Sequence, residues 1–182
     1  MNKKIFSIII GLSCCFSACS DWVDVKTKGS LVPEETENYR YLMNNTENFR
    51  WTLSYHDVAS DDIDISDPAQ QEAIYETNKF IPVYTWADEI YSQSENDDEM
   101  NKVYQVIYNC NVVIDEVMDS KNGTNEEKLE IRAEALVHRA EAYLTLVNVY
   151  GVPYNAATAS TDQGVPLLTT PRVEGSLPRA SV

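Results

Sequence analysis

The stretch "TNEEKLEIRAEALVHRAEAYLTLVNVYGVP" (Thr124 to Pro153) decides the fold. Thr124 and Glu127 have the spacing of a capping box, in which each side chain satisfies a backbone amide of the first turn that would otherwise lack a partner. Leu129, Ala133, Leu136, Ala140, Tyr143, Val147 and Tyr150 step by 4, 3, 4, 3, 4 and 3 residues. That is the repeat of one helix face. Ala135, Ala142, Leu146 and Val149 mark a second apolar face. The helix is therefore expected to pack on two sides, with its alanines allowing close approach. Gly151 is read as the C′ residue that ends it, and Pro153 prevents resumption.

A second helix is predicted just before it, over 97–119. Met100, Val103, Ile107, Cys110, Ile114 and Val117 step by 3, 4, 3, 4 and 3 residues. Cys110 falls in this stripe and reads as a buried small hydrophobe. Lys121-Asn122-Gly123 breaks the pattern. The two helices make an αα-hairpin, the unit of helical-repeat folds, although no repeated motif is evident. The expected class is all-α, tetratricopeptide-like, with long loops and an extended C-terminal tail.

The flanks are less regular. Pro33 opens a predicted helix over 33–47, with Glu34 and Glu35 where the dipole favours negative charge. Asp57, Asp61, Asp62, Asp64 and Asp67 crowd a stretch that lacks the glycine of a calcium loop, so a solvated loop is expected there. "VYTWADEIY" (83–91) predicts a short helix. Residues 151–182 hold four of the seven prolines and three of the six glycines, the composition of extended, turn-rich chain. No element is predicted to close that tail before Val182.

The N-terminus has a different character. Lys3 and Lys4 precede an apolar run, Ile5–Phe16, of twelve residues. A spanning helix needs about 20. The run fits the h-region of a secretory signal. Phe16-Ser17-Ala18-Cys19 matches the box of a bacterial lipoprotein signal, with Phe16 in place of the more usual leucine. Cys19 then becomes the acylated new N-terminus, and each buried CH₂ of its chains contributes about 0.8 kcal/mol of membrane affinity. The expected division is a signal at 1–18, a tether at 19–32 and a helical body at 33–182. Cys14 and Cys15 leave with the signal. Cys110 is left as the one free thiol, which excludes an internal disulfide and a cysteine-rich zinc site.

Charge narrows the function. The whole chain carries net −15; without residues 1–18 it has twelve basic and 29 acidic residues, net −17. Nucleic-acid binding needs the opposite sign. Eleven Tyr and three Trp supply apolar faces with polar edges, suited to sugar stacking and to helix packing alike. No G-x-S-x-G, H-E-x-x-H, P-loop or G-x-G-x-x-G occurs. His56 and His138 lie far apart, and His138 sits within the long helix. No catalytic residue, metal site or cofactor is predicted.

"AEALVHRAEAYLTLVNVYGVPY" (Ala133 to Tyr154) resembles the central signature of the SusD/RagB family. The matching residues are Arg139-Ala140, Tyr143, Leu146, Tyr150-Gly151 and Pro153. "GVPLLTTP" (Gly164 to Pro171) and "LPRASV" (Leu177 to Val182) resemble the next two landmarks. "VYQVIYNCNVVIDEV" (Val103 to Val117), with Asn111, resembles the preceding helix, and the lipobox with "SDWVDV" resembles the start. The resemblance implies a surface-exposed outer-membrane lipoprotein that binds an oligosaccharide or other nutrient without cleaving it. It also implies a partner, a SusC-type TonB-dependent transporter. Family members run several hundred residues longer, so the chain is expected to be a truncated, N-terminal portion. By the same resemblance Trp86 and Tyr84, with Trp51 behind them, are candidate ligand contacts; packing between helices is the alternative for each. Three other readings remain open: a lipoprotein glycoside hydrolase, a helical-repeat adaptor without a small-molecule site, and a non-functional fragment.

Overall fold

The capping box closes the first turn of the longest helix. Thr124 Oγ1 accepts from the Glu127 amide at 3.2 Å, and the Glu127 carboxylate accepts from the Thr124 amide at 2.7 Å. The computed structural model describes residues 33–182, apart from 52, 78–79, 93 and 172–176. The predicted signal, Cys19 and tether lie outside the described residues.

Seven α-helices occur among these: α1 Thr36–Asn44, α2 Thr46–Phe49, α3 Tyr55–Val58, α4 Pro68–Thr77, α5 Ile81–Tyr84, α6 Asp98–Glu116 and α7 Asn125–Tyr150. A 3₁₀ turn, Val117–Asp119, ends α6. The fold is all-α with the predicted hairpin at its centre. The α6 stripe is buried as expected, with Val103, Ile107, Cys110 and Val117 fully enclosed. Burial pushes the Cys110 thiol up to about 11, against a smaller opposing pull from Arg139.

The face of α7 that packs on α6 is the second of the two predicted. Ile131, Ala135, Ala142 and Leu146 are buried, whereas Leu129, Leu136 and Leu144 are exposed. Both faces are apolar, so periodicity could not choose between them. Ala135 and Ala142 remove bulk from the buried face and let the helices approach. At the far end Gly151 is extended, with φ −90° and ψ 166°, rather than left-handed. It is needed for space: a Cβ there would stand 2.6 Å from the Val147 carbonyl oxygen.

α1 is stitched to the turn between α6 and α7. The Thr36 amide donates to Lys121 O at 2.9 Å and the Lys121 amide donates to Glu34 O at 2.8 Å. Thr36 Oγ1 also donates to Asn122 O at 2.8 Å. Gly123, at φ +67°, lies so close that a Cβ would stand 2.6 Å from Thr36 Oγ1. Tyr39 donates to Pro33 O at 3.0 Å and meets Glu116 at 2.9 Å.

One helix is unforeseen and two local expectations are corrected. Asp67 accepts from the Gln70 amide at 2.9 Å and opens α4, with Pro68 as its first residue. Residues 85–91 are not helical, because α5 stops at Tyr84. The tail does close: β1 (Gln163–Pro166) pairs antiparallel with β2 (Arg179–Ser181), Gln163 opposite Ser181 and Pro166 opposite Arg179.

Asn111, 1 % exposed, fixes the tail to the hairpin. Its amide donates to Leu168 O at 3.0 Å and Thr170 O at 3.2 Å, while its oxygen accepts from Arg139 at 2.7 Å. Asn111→Ala should lower the unfolding free energy by about 1–3 kcal/mol, since buried carbonyls and a guanidinium lose their partner. Urea unfolding followed by circular dichroism reads this as a lower midpoint at unchanged slope.

Candidate functional site

An antiparallel hairpin brings the start of one helix beside the end of the other. Here Asp97, the N-cap of α6, meets Tyr150, the last residue of α7. The Asp97 carboxylate accepts from the Met100 amide at 2.9 Å, from Tyr55 at 3.1 Å and from Tyr150 at 2.7 Å. Tyr91 bonds the same Tyr55 hydroxyl. Tyr55 also meets Phe80 and Tyr150 edge-on, with ring centroids 5.7 and 6.2 Å apart. Burial raises both the Tyr55 and Tyr150 phenols above the ordinary tyrosine range, with Asp97 adding to it. Both hydroxyls therefore remain protonated donors, and the carboxylate between them stays satisfied.

Above this cluster lies an open groove of about 370 Å³. Its lining is drawn from α3, α5, the chain after α5 and the end of α7: Tyr55, His56, Val83, Trp86, Ile90 and Asn148 are among the residues that face it. Tyr55 and Val83 are buried and form an apolar base. His56 is exposed, with Nε2 3.2 Å from the Asp57 carboxylate.

Trp86 is the exposed wall. It is 77 % solvent-accessible. Its backbone has φ +54°, in the left-handed region. The cause is the end of α5. The Ala87 amide bonds Pro82 O at 2.9 Å and the Trp86 amide bonds Val83 O at 3.2 Å. Together these form a Schellman motif with Trp86 at C′, the position usually given to glycine. A bulky residue in this conformation is strained, and such strain gathers at functional sites. The sequence carries no glycine to mark this stop, which is why 83–91 reads as helix.

The three predicted aromatics separate. Trp86 lines the groove. Tyr84 does not: it is half-buried, and its hydroxyl accepts from the Ile65 amide at 3.2 Å, pinning the acidic segment. Trp51 packs against the core cluster. Sequence reasoning missed Tyr55, His56, Ile90 and Asn148, which lie far apart in the chain. His138 stacks on Phe49, centroids 4.5 Å apart, on another side of α7. Among the described residues, no group of three His, Cys, Asp or Glu is placed to hold a metal ion, and no helix is long and apolar enough to cross a membrane.

A second polar arrangement organises the tail. Tyr143 donates to Leu168 O at 2.8 Å and accepts from the Leu168 amide at 2.6 Å. Tyr104 donates to Pro166 O at 2.8 Å, and Arg179 donates to Gly164 O at 2.7 Å. A protein-family model, SusD-like, described as starch-binding and associating with the outer membrane, matches residues 21–182. The chain belongs to the SusD-like family. A search of the curated proteins finds no match. The residues that carried the SusD resemblance now have a physical role. Asn111, Arg139 and Tyr143 clamp residues 168–170 onto the hairpin, and none of them lines the Trp86 groove. In this SusD-like chain the signature builds mainly the scaffold; of the Ala133–Tyr154 stretch, Asn148 and Val149 line the groove.

Glycine at C′ relieves left-handed strain of about 1–2 kcal/mol and costs about 0.5–1 kcal/mol of chain entropy. Trp86→Gly should therefore raise the unfolding free energy by up to ~1 kcal/mol while deleting the exposed ring. Urea unfolding of the two proteins side by side measures the difference.

Proposed function

We propose that this SusD-like protein is a lipoprotein, anchored through Cys19 at the outer surface of the outer membrane. It holds a glycan or similar nutrient, without cleaving it, for a SusC-type TonB-dependent transporter. The family description supports the starch-type ligand and the membrane association. The lipobox at Phe16–Cys19 supports the anchor. The observation that carries the binding reading is Trp86: an indole held facing solvent, in a strained conformation, over an apolar groove. The indole supplies a flat apolar face and one N–H donor. His56 and Asn148 supply polar groups at the rim. The groove volume lies at the low end of the roughly 300–1,000 Å³ common for ligand sites. That suits one end of a sugar chain, with Tyr84 acting at one remove by holding the neighbouring segment.

A second reading has its own observation. Leu129, Leu136, Val137 and Leu144 form an exposed apolar stripe along α7, the kind of surface a helical-repeat adaptor offers to protein.

Affinity electrophoresis against a glycan panel, starch-type glucan first, separates the two. Retardation should appear with the native protein and weaken at least tenfold, about 1.4 kcal/mol, in Trp86→Ala. Retardation that survives that substitution would remove the groove from the scheme, and no retardation by any glycan would favour the adaptor. Separately, Cys19→Ser should move the protein from the outer-membrane pellet to the soluble fraction. Continued pelleting of the unacylated chain would overturn the anchor.

A further inference from the structure

Most of the net charge of this protein lies in the segment that supplies most of the groove lining. Residues 51–97 contain eleven carboxylates and one lysine, in a chain whose total is net −15. Asp88 and Glu89 follow the lining residue Ala87 directly and precede the lining residue Ile90; both are exposed. Asp61 and Asp62 come two and three residues after the lining residue Ala59, and both are exposed. Among the described residues none of these four has a cationic partner within ion-pair distance. Asp57 sits beside the lining residue His56. An exposed indole is thus flanked in sequence by uncompensated negative charge.

We infer that the Trp86 groove selects a cationic glycan, an oligosaccharide bearing free amino groups, over its neutral or N-acylated counterpart. The inference rests on the capture reading above and narrows it to a substrate class. A neutral sugar gains only the contact of its C–H face with the indole. An ammonium beside the ring adds attraction to the π-face, for which Trp is the best platform. It also adds attraction to the carboxylates that flank the lining residues in sequence. Uronic or sulfated sugars meet the same field with the opposite sign and are repelled. The carboxylates are exposed, so their attraction is screened over a Debye length of about 8 Å at physiological salt. Selectivity should therefore fade as salt rises, whereas stacking should persist.

The test uses the Cys19→Ser chain and follows binding by calorimetry. The probes are a glucosamine oligomer with its amines protonated, the N-acetylglucosamine oligomer of equal length, a maltooligosaccharide and an oligolysine. The glucosamine oligomer should bind about tenfold more tightly than the N-acetylated one at low salt. The ratio should shrink several-fold at high salt and in the Asp88→Asn/Glu89→Gln variant. Trp86→Ala should lose binding of the glucosamine oligomer. Equal affinity for the amino and N-acetyl oligomers, still dependent on Trp86, would overturn this inference and leave glycan capture standing. Tighter Trp86-dependent binding of oligolysine than of any sugar would replace the glycan with a basic peptide. No binding of any oligosaccharide would end the capture reading as well.

Discussion

The side chain of Asn111 joins α6, α7 and the C-terminal tail at one buried point. It is buried in the middle of α6, where an unpaired amide would be costly. Its two ends resolve that cost in different directions. The oxygen takes a charge-assisted bond from Arg139 on α7, and the nitrogen takes two carbonyls from the tail. A hydrophobe of the same size would fill the volume but would fix neither the register of the two helices nor the path of residues 166–170. With that path fixed, Tyr104 and Tyr143 find their carbonyls and Val165 is buried. The β1–β2 pair closes as a consequence.

The register of the hairpin in turn places the groove. Whatever residue starts α6 must lie beside whatever residue ends α7. Asp97 and Tyr150 occupy those places, and their bond makes a base on which Tyr55 and the α3–α5 region settle. Asp97 serves as helix cap and as acceptor for two phenols, so local capping and long-range packing depend on one carboxylate. The rim is less constrained. Trp86 stands on a helix stop made by backbone bonds and by the Thr85 hydroxyl, which donates to Ile81 O at 2.8 Å, and its own side chain faces outward.

Much of the scaffold was legible. The Thr124–Glu127 box, the α6 stripe and Lys121-Asn122-Gly123 are local signals, and each formed where expected. The choice of α7 face was not legible, because apolar residues occupy both sides and only the position of α6 distinguishes them. α4 could have been found from Asp67-Pro68, a cap followed by a first-turn proline, but the surrounding acids suggested loop. β2 spans three residues, too short for any periodicity. The groove was least legible. Its residues come from four separate places, and the feature that exposes Trp86 is a positive φ at a residue type that seldom adopts it. The signature pointed to the family through the scaffold: Tyr150 bonds Asp97 beneath the groove and Asn148 and Val149 line it, but their spacing marks them only as one end of a helix.

The same geometry separates the start of the described body from the groove. Pro33, where the described body begins, accepts from Tyr39 close to Glu116, at the turn end of the hairpin. The groove sits at the opposite, open end, beside Asp97 and Tyr150. α6 separates the two ends with 19 residues, a length of about 28 Å at 1.5 Å per residue. Pro33 and the groove beside Asp97 are therefore at opposite ends of the hairpin. That separation follows from the chain running along α6 from Asp97 to the turn and back along α7 to Tyr150.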